Sequence, residues 1–165
     1  MYGAGSRRVL VAGIGNVFRT DDGFGSAVVR RLAAESWPDG VRVVDYGIRG
    51  LHLAYDLLDP WDALVLVDAL PDRGAVGSVV VLAIGADDVA GPPVVDAHSM
   101  SPATVLASLA ALGGSLPART LLVGCQVAET DDGMGLTPQV EAAVGAAVVA
   151  VRDLVMHELR PTEVA

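Results

Sequence analysis

Asp22, Asp68 and His98 are the residues whose types and positions in this chain best suit chemistry. Asp22 follows the turn Gly13-Ile14-Gly15-Asn16 that closes the first apolar run. Asp68 ends the run Val65-Leu66-Val67-Asp68, and His98 shortly precedes a helix start at Ser101-Pro102. Two carboxylates and an imidazole suit a divalent first-row metal such as nickel, zinc or manganese, with coordination positions left open for another ligand. Each residue alone has a plainer reading. Asp22 could favour the start of the first helix through the helix dipole. Asp68 could hydrogen-bond a loop amide, although a carboxylate ending an apolar strand is costly without a partner. A lone histidine such as His98 more often sits in a loop or on the surface.

Other chemistries have weaker support. Gly13-Ile14-Gly15 resembles the start of a dinucleotide-binding turn, but Phe18 stands at the third glycine position, and Asp21 and Asp22 occupy the place of a pyrophosphate. The glycines better suit a tight turn with close backbone approach. All 11 basic residues are arginine, so a Walker-A lysine and a Schiff-base lysine are excluded and a receiver-type phosphoryl site, which needs a lysine, stays a minor alternative. The single cysteine, Cys125, excludes an internal disulfide framework and a thiolate cluster, and burial as a small hydrophobe is its commoner fate. Asp131-Asp132-Gly133 reads as a turn. His52 and His157 fall on predicted helices without an evident partner, and adjacency alone does not make Ser99 and His98 a catalytic dyad.

The elements that must position the three residues alternate. Short β-branched runs at Arg8 to Ala12, Val41 to Asp45, Ala63 to Asp68, Ser78 to Ile84 and Thr120 to Cys125 predict strands. Helical spacing predicts helices from Gly23 to Glu35, Leu51 to Leu58, Pro102 to Leu112 and from Thr137-Pro138 onward. The last should bury Val140, Ala143, Val144, Ala147, Val148, Val151, Leu154 and Val155. The expected fold is α/β with three αβα layers, a doubly wound, mostly parallel five-stranded sheet with one antiparallel edge strand. The antiparallel strand is the fourth, because Ala69 to Gly77 leaves no room for a crossover helix. Gly85 to Met100 then becomes a long loop climbing back to the carboxyl ends of the strands, where ligands bind in open α/β sheets. Topology thereby brings Asp22, Asp68 and His98 to one edge.

Composition bounds the partners. The 165 residues are 52% hydrophobic and 19% charged, which excludes disorder and fits a single domain over 1–165 that buries about two thirds of its unfolded surface. The net charge of −9 argues against nucleic acid and anionic membranes. Arg7-Arg8 before an apolar stretch could be mistaken for a twin-arginine signal, but the stretch is short and runs into Arg19, Asp21 and Asp22, so it reads as the first strand. The charge-free stretch Ala97 to Ala118 is interrupted by Pro102, Gly113, Gly114 and Pro117 and does not predict a membrane span. A cytoplasmic, monomeric protein is the expectation.

Taken in order, Gly13-Ile14-Gly15-Asn16, Asp21-Asp22-Gly23-Phe24-Gly25, Val67-Asp68-Ala69, the His98 segment and Gly135-Leu136-Thr137-Pro138 resemble the hydrogenase maturation proteases over nearly the whole chain. The resemblance implies an endopeptidase that removes a C-terminal extension from the [NiFe] hydrogenase large-subunit precursor after nickel insertion. It implies metal contacts at Asp22, Asp68 and His98, the nickel being carried by the substrate. Asp22 and Asp68 are the candidates for catalytic roles. The first contact is Glu in some members, so Asp22 has the shorter reach. Asp45-Tyr46-Gly47 resembles an Asp-Gly-Gly segment with one glycine lost, which makes Asp45 a secondary candidate for orienting substrate. Gly124-Cys125-Gln126-Val127 departs from the family, where a proline often follows the glycine. The competing readings are a non-enzymatic metal-binding or assembly module and a flavodoxin-like cofactor binder.

Overall fold

The computed structural model describes residues 6–85 and 102–160. Strands β1 (Val9–Ile14), β2 (Val41–Gly47), β3 (Ala63–Leu70), β4 (Val79–Ala83) and β5 (Arg119–Gln126) form one sheet in the order β2-β1-β3-β5-β4. The first three and β5 are parallel, and β4 runs antiparallel at the edge, as its short approach requires. Its hydrogen-bonded neighbour is β5, which inserts between it and β3. Helices α1 (Phe24–Ala33), α2 (Gly50–Asp56), α3 (Pro102–Ala111) and α4 (Pro138–Glu158) cover the two faces. The predicted elements all appear, with ends moved by a few residues. Leu51 to Leu58 stops early because the Trp61 indole donates to the Asp56 carbonyl at 2.9 Å and closes the last turn of α2.

Period-two alternation sorts the central strands into two cores. Val9, Val11, Val65, Val67, Val123 and Cys125 face α1 and α4, packing on Phe24, Val28, Leu32, Val144, Ala147 and Val151. Leu10, Ala12, Ile14, Leu64, Leu66 and Leu122 face α2 and α3, packing on Leu53, Leu57, Val105 and Leu109. The same alternation puts Asp68 in step with Leu64 and Leu66, on the α2/α3 side. Because α3 leads into the parallel strand β5, its N-terminus at Pro102 lies at the carboxyl edge. The predicted Ser101 cap, most of the Gly85 to Met100 loop and His98 itself lie outside the described residues. Among those described, no helix is long and apolar enough to cross a membrane.

The first turn of α1 sits directly on the sheet. A Cβ at Gly25 would lie 2.3 Å from the Val67 carbonyl oxygen and 2.4 Å from that of Ile14, so only glycine lets α1 approach β1 and β3 this closely. Both obstacles are backbone, which cannot rotate away. Gly25→Ala is therefore expected to lower stability by about 2 kcal/mol or more, read as a reduced urea midpoint with unchanged slope.

Candidate functional site

At the carboxyl edge β1 leaves the sheet at Ile14 and enters a tight turn. Gly15 adopts φ +128°, and a Cβ there would stand 2.1 Å from the Asp22 carbonyl oxygen. The chain then folds through a 3-10 turn at Thr20–Gly23 that presents Asp22. The Asn16 amide donates to Asp22 Oδ2 at 2.8 Å, and the Phe18 amide donates to Asn16 Oδ1 at 2.9 Å, holding the turn. Thr20 takes the left-handed conformation at φ 49°, uncommon for a branched residue. It is kept there from outside: its amide donates to the Gly133 carbonyl at 2.8 Å and its hydroxyl to the Asp131 carbonyl at 2.7 Å.

Asp68 sits near the end of β3, opposite Gly124 of β5, and is only 6% exposed. The Ala69 amide donates to its Oδ1 at 2.8 Å. Burial first, and then the nearby charge of Asp22, hold the Asp68 carboxyl well above the usual carboxylate range; the Ala69 hydrogen bond opposes this without cancelling it. Among the described residues no arginine or histidine forms an ion pair with Asp22 or Asp68. These are two interacting carboxylates, one of them desolvated, each accepting one backbone hydrogen bond among the described residues, an arrangement with the chemistry to accept a cation. A proton or a metal ion relieves the same repulsion. Asp22 also lines a cleft of about 360 Å³ with Leu70, Pro71, Val127 and Thr130, between the ends of β3 and β5.

Asp21 has a different role from its neighbour, which the paired aspartates in the sequence conceal. It is fully buried and accepts from the Thr137 amide at 2.7 Å, from the Thr137 hydroxyl at 2.8 Å and from the Glu129 amide at 3.3 Å. Its own amide donates to the Glu129 carbonyl at 3.0 Å. Thr137 is the N-cap of α4 and makes no cap bond with its own side chain, so Asp21 places a carboxylate at the start of that helix from across the chain. The turn that carries Asp22 is thus tied to α4 and to the segment between Glu129 and Thr137. The available signal was Thr137-Pro138, a helix start whose carboxylate lies elsewhere.

The remaining candidates resolve by their contacts. Asp45 accepts from Ser26 Oγ at 2.6 Å and from Arg30 Nε at 3.2 Å, so both its oxygens join β2 to α1. Cys125 is buried in the α1/α4 core; burial, then the Asp21 charge, push its thiol up, the opposite of what a nucleophile needs. Where the family's proline is missing, Gln126 Oε1 accepts from the Arg73 and Ala75 amides at 2.9 and 3.1 Å and shapes the loop before β4. Asp131 and Asp132 are exposed in a turn, and His52 and His157 are exposed on helices. No group of three or more His, Cys, Asp or Glu able to hold a metal occurs among the described residues; the third member of the expected set, His98, is not one of them.

A doubly wound, mostly parallel sheet with Asp22 and Asp68 at its carboxyl edge defines an α/β protein whose candidate site holds two interacting carboxylates. Comparison with known proteins makes the class specific. The chain belongs to the hydrogenase maturation protease family, whose model matches residues 26–153, and is a peptidase. It is 38% identical to the hydrogenase expression/formation protein HupD of Rhodobacter capsulatus, over 89% of this chain and 71% of that one. It is 31% identical to the hydrogenase 2 maturation protease of Escherichia coli, over 87% and 88% of the two chains. The fold is similar to that of the hydrogenase maturating endopeptidase HybD from Escherichia coli, with a TM-score of 0.74, 30% identity and coverage of 91% and 93%.

Proposed function

We propose that this protein is the cytoplasmic endopeptidase that removes the C-terminal extension of a [NiFe] hydrogenase large-subunit precursor after nickel insertion. Asp22, Asp68 and His98 would recognise the nickel held in the precursor. The observation that carries this reading is the Asp22–Asp68 pair, a buried carboxylate interacting with a second one, with no arginine or histidine among the described residues ion-paired to either. Such a pair gains from a divalent cation what it loses in mutual repulsion. His98 supplies the softer donor in the sequence, four residues before the start of α3 at the same edge. A carboxylate and imidazole set of this kind suits nickel brought in by the substrate, and contact with it would orient the scissile bond against the site. Nickel so held supplies Lewis-acid polarisation of a carbonyl or water. The chain's own part is to bind, to orient and to hold Asp68 where an arriving cation can displace its proton.

Incubating the protein with a matching precursor, nickel-loaded or nickel-free, tests the proposal by mass spectrometry. The expected result is loss of a C-terminal peptide from the nickel-loaded form alone. Equal processing of both forms would overturn metal recognition. Binding without any mass loss would favour the non-enzymatic assembly module instead.

A further inference from the structure

A second cleft opens at the same edge, between the ends of β1 and β2, and neither carboxylate of the proposed metal site accounts for it. It measures about 370 Å³, within the range of ligand pockets, and its lining includes Asn16, Phe18, Arg30, Asp45, Ile48 and Arg49. It adjoins Asp22 through Asn16, whose amide holds the Asp22 carboxylate. Two apolar side chains stand out into solvent at this cleft, Phe18 at 63% and Ile48 at 59% exposure. Arg49 is fixed against the end of β2: its Nε donates to the Tyr46 carbonyl at 3.2 Å and one terminal nitrogen to the Asp45 carbonyl at 2.8 Å. Both partners are neutral carbonyls. The Asp45 carboxylate is turned to Ser26 and Arg30, so among the described residues the Arg49 charge has no carboxylate partner.

Arg30 and Arg49 both line the cleft and its one carboxylate, Asp45, is already engaged by Ser26 and Arg30, so the cleft carries a net positive charge that suits an anion. It cannot serve the metal, which it repels. We propose that this cleft receives the polypeptide on the departing side of the scissile bond, its apolar side chains against Phe18 and Ile48, and that Arg49 binds a carboxylate of that segment. This rests on the endopeptidase reading above and adds a specificity-determining residue to it. The metal-bearing side of the substrate meets Asp22 and Asp68, while the departing side runs the other way past Asn16. The carboxylate can be an acidic side chain or the free C-terminus.

The test uses the extension of the matching precursor, synthesised with an N-terminal fluorophore and followed by anisotropy, so it does not depend on cleavage. Wild-type protein is expected to bind it saturably, with affinity that falls as salt rises. Arg49→Gln and Ile48→Glu are expected to weaken binding about tenfold and, with the nickel-loaded precursor, to raise KM while leaving kcat nearly unchanged. Ile48 is largely exposed, so its variant keeps the fold if the arginine change perturbs the turn. Peptides with an amidated C-terminus or with acidic side chains replaced by amides separate the two carboxylate sources, and Arg49→Gln should be indifferent to whichever matters. Equal binding by wild type and both variants, or no saturable binding by wild type, overturns the assignment. Failure of wild type to cleave the nickel-loaded precursor while the peptide binds as described would instead overturn the endopeptidase reading.

Discussion

Asp68→Asn is expected to stop processing, by about a thousandfold or more, and at the same time to make the protein more stable at neutral pH. The two effects have one cause. Burial and the Asp22 charge raise the carboxyl's affinity for a proton in the folded state. A raised folded value means that the stabilising contribution is fully present below the unfolded value and is lost as pH rises through the folded one. At neutral pH, where the unfolded chain ionises this carboxyl, Asp68 therefore opposes folding. Asn keeps an oxygen for the Ala69 amide and removes the charge, so the variant should melt higher than wild type. The gain should shrink as pH is lowered, because the wild-type carboxyl then protonates. Calorimetry across pH checks it. The activity side follows in reverse: the same carboxyl must be ionised to accept a cation, so processing should decline with falling pH while ordinary exposed carboxylates are still charged.

Asp21→Ala is expected to have the largest effect on stability and to reduce processing without touching substrate. It leaves the Thr137 amide and hydroxyl and the Glu129 amide without their acceptor in a buried setting. Hydrogen bonds to a charged acceptor contribute about 1.5–3 kcal/mol each, and the coupled loss should come to about 3 kcal/mol, lowering Tm on the order of 10 °C. Asp21→Asn should fall between, since one oxygen can still accept from Thr137. Hydrogen exchange separates this from a uniform loss of stability: the amides of Thr20, Asp22 and Glu141, which tie the turn and the first turn of α4, should lose protection before the central strands.

The arrangement of the fold was legible in the sequence because its strands differ in kind from its helices. Continuous apolar runs such as Val9 to Ile14 can only be central parallel strands, and the short approach to Val79 forces an antiparallel edge. Which strand β4 would pair with was not legible, because insertion of β5 beside β3 is a matter of sheet order that local pattern does not encode. At the site, Asp22 and Asp68 come to one edge as topology requires. The division of labour between Asp21 and Asp22 was hidden, since two adjacent aspartates on a 3-10 turn look alike as letters and point to different partners. Arg49 was equally silent: its significance lies in which oxygens hold it and which carboxylates turn away.

The proposed recognition of the precursor's nickel through Asp22 and Asp68 is open to a direct thermodynamic test. Affinities of wild type and Asp68→Asn for the nickel-loaded and nickel-free precursor, measured under conditions where cleavage is slow, close a thermodynamic cycle on that contact. Nickel is expected to strengthen binding to wild type, and Asp68→Asn to lose most of this gain. The same gain from nickel in both proteins would contradict it.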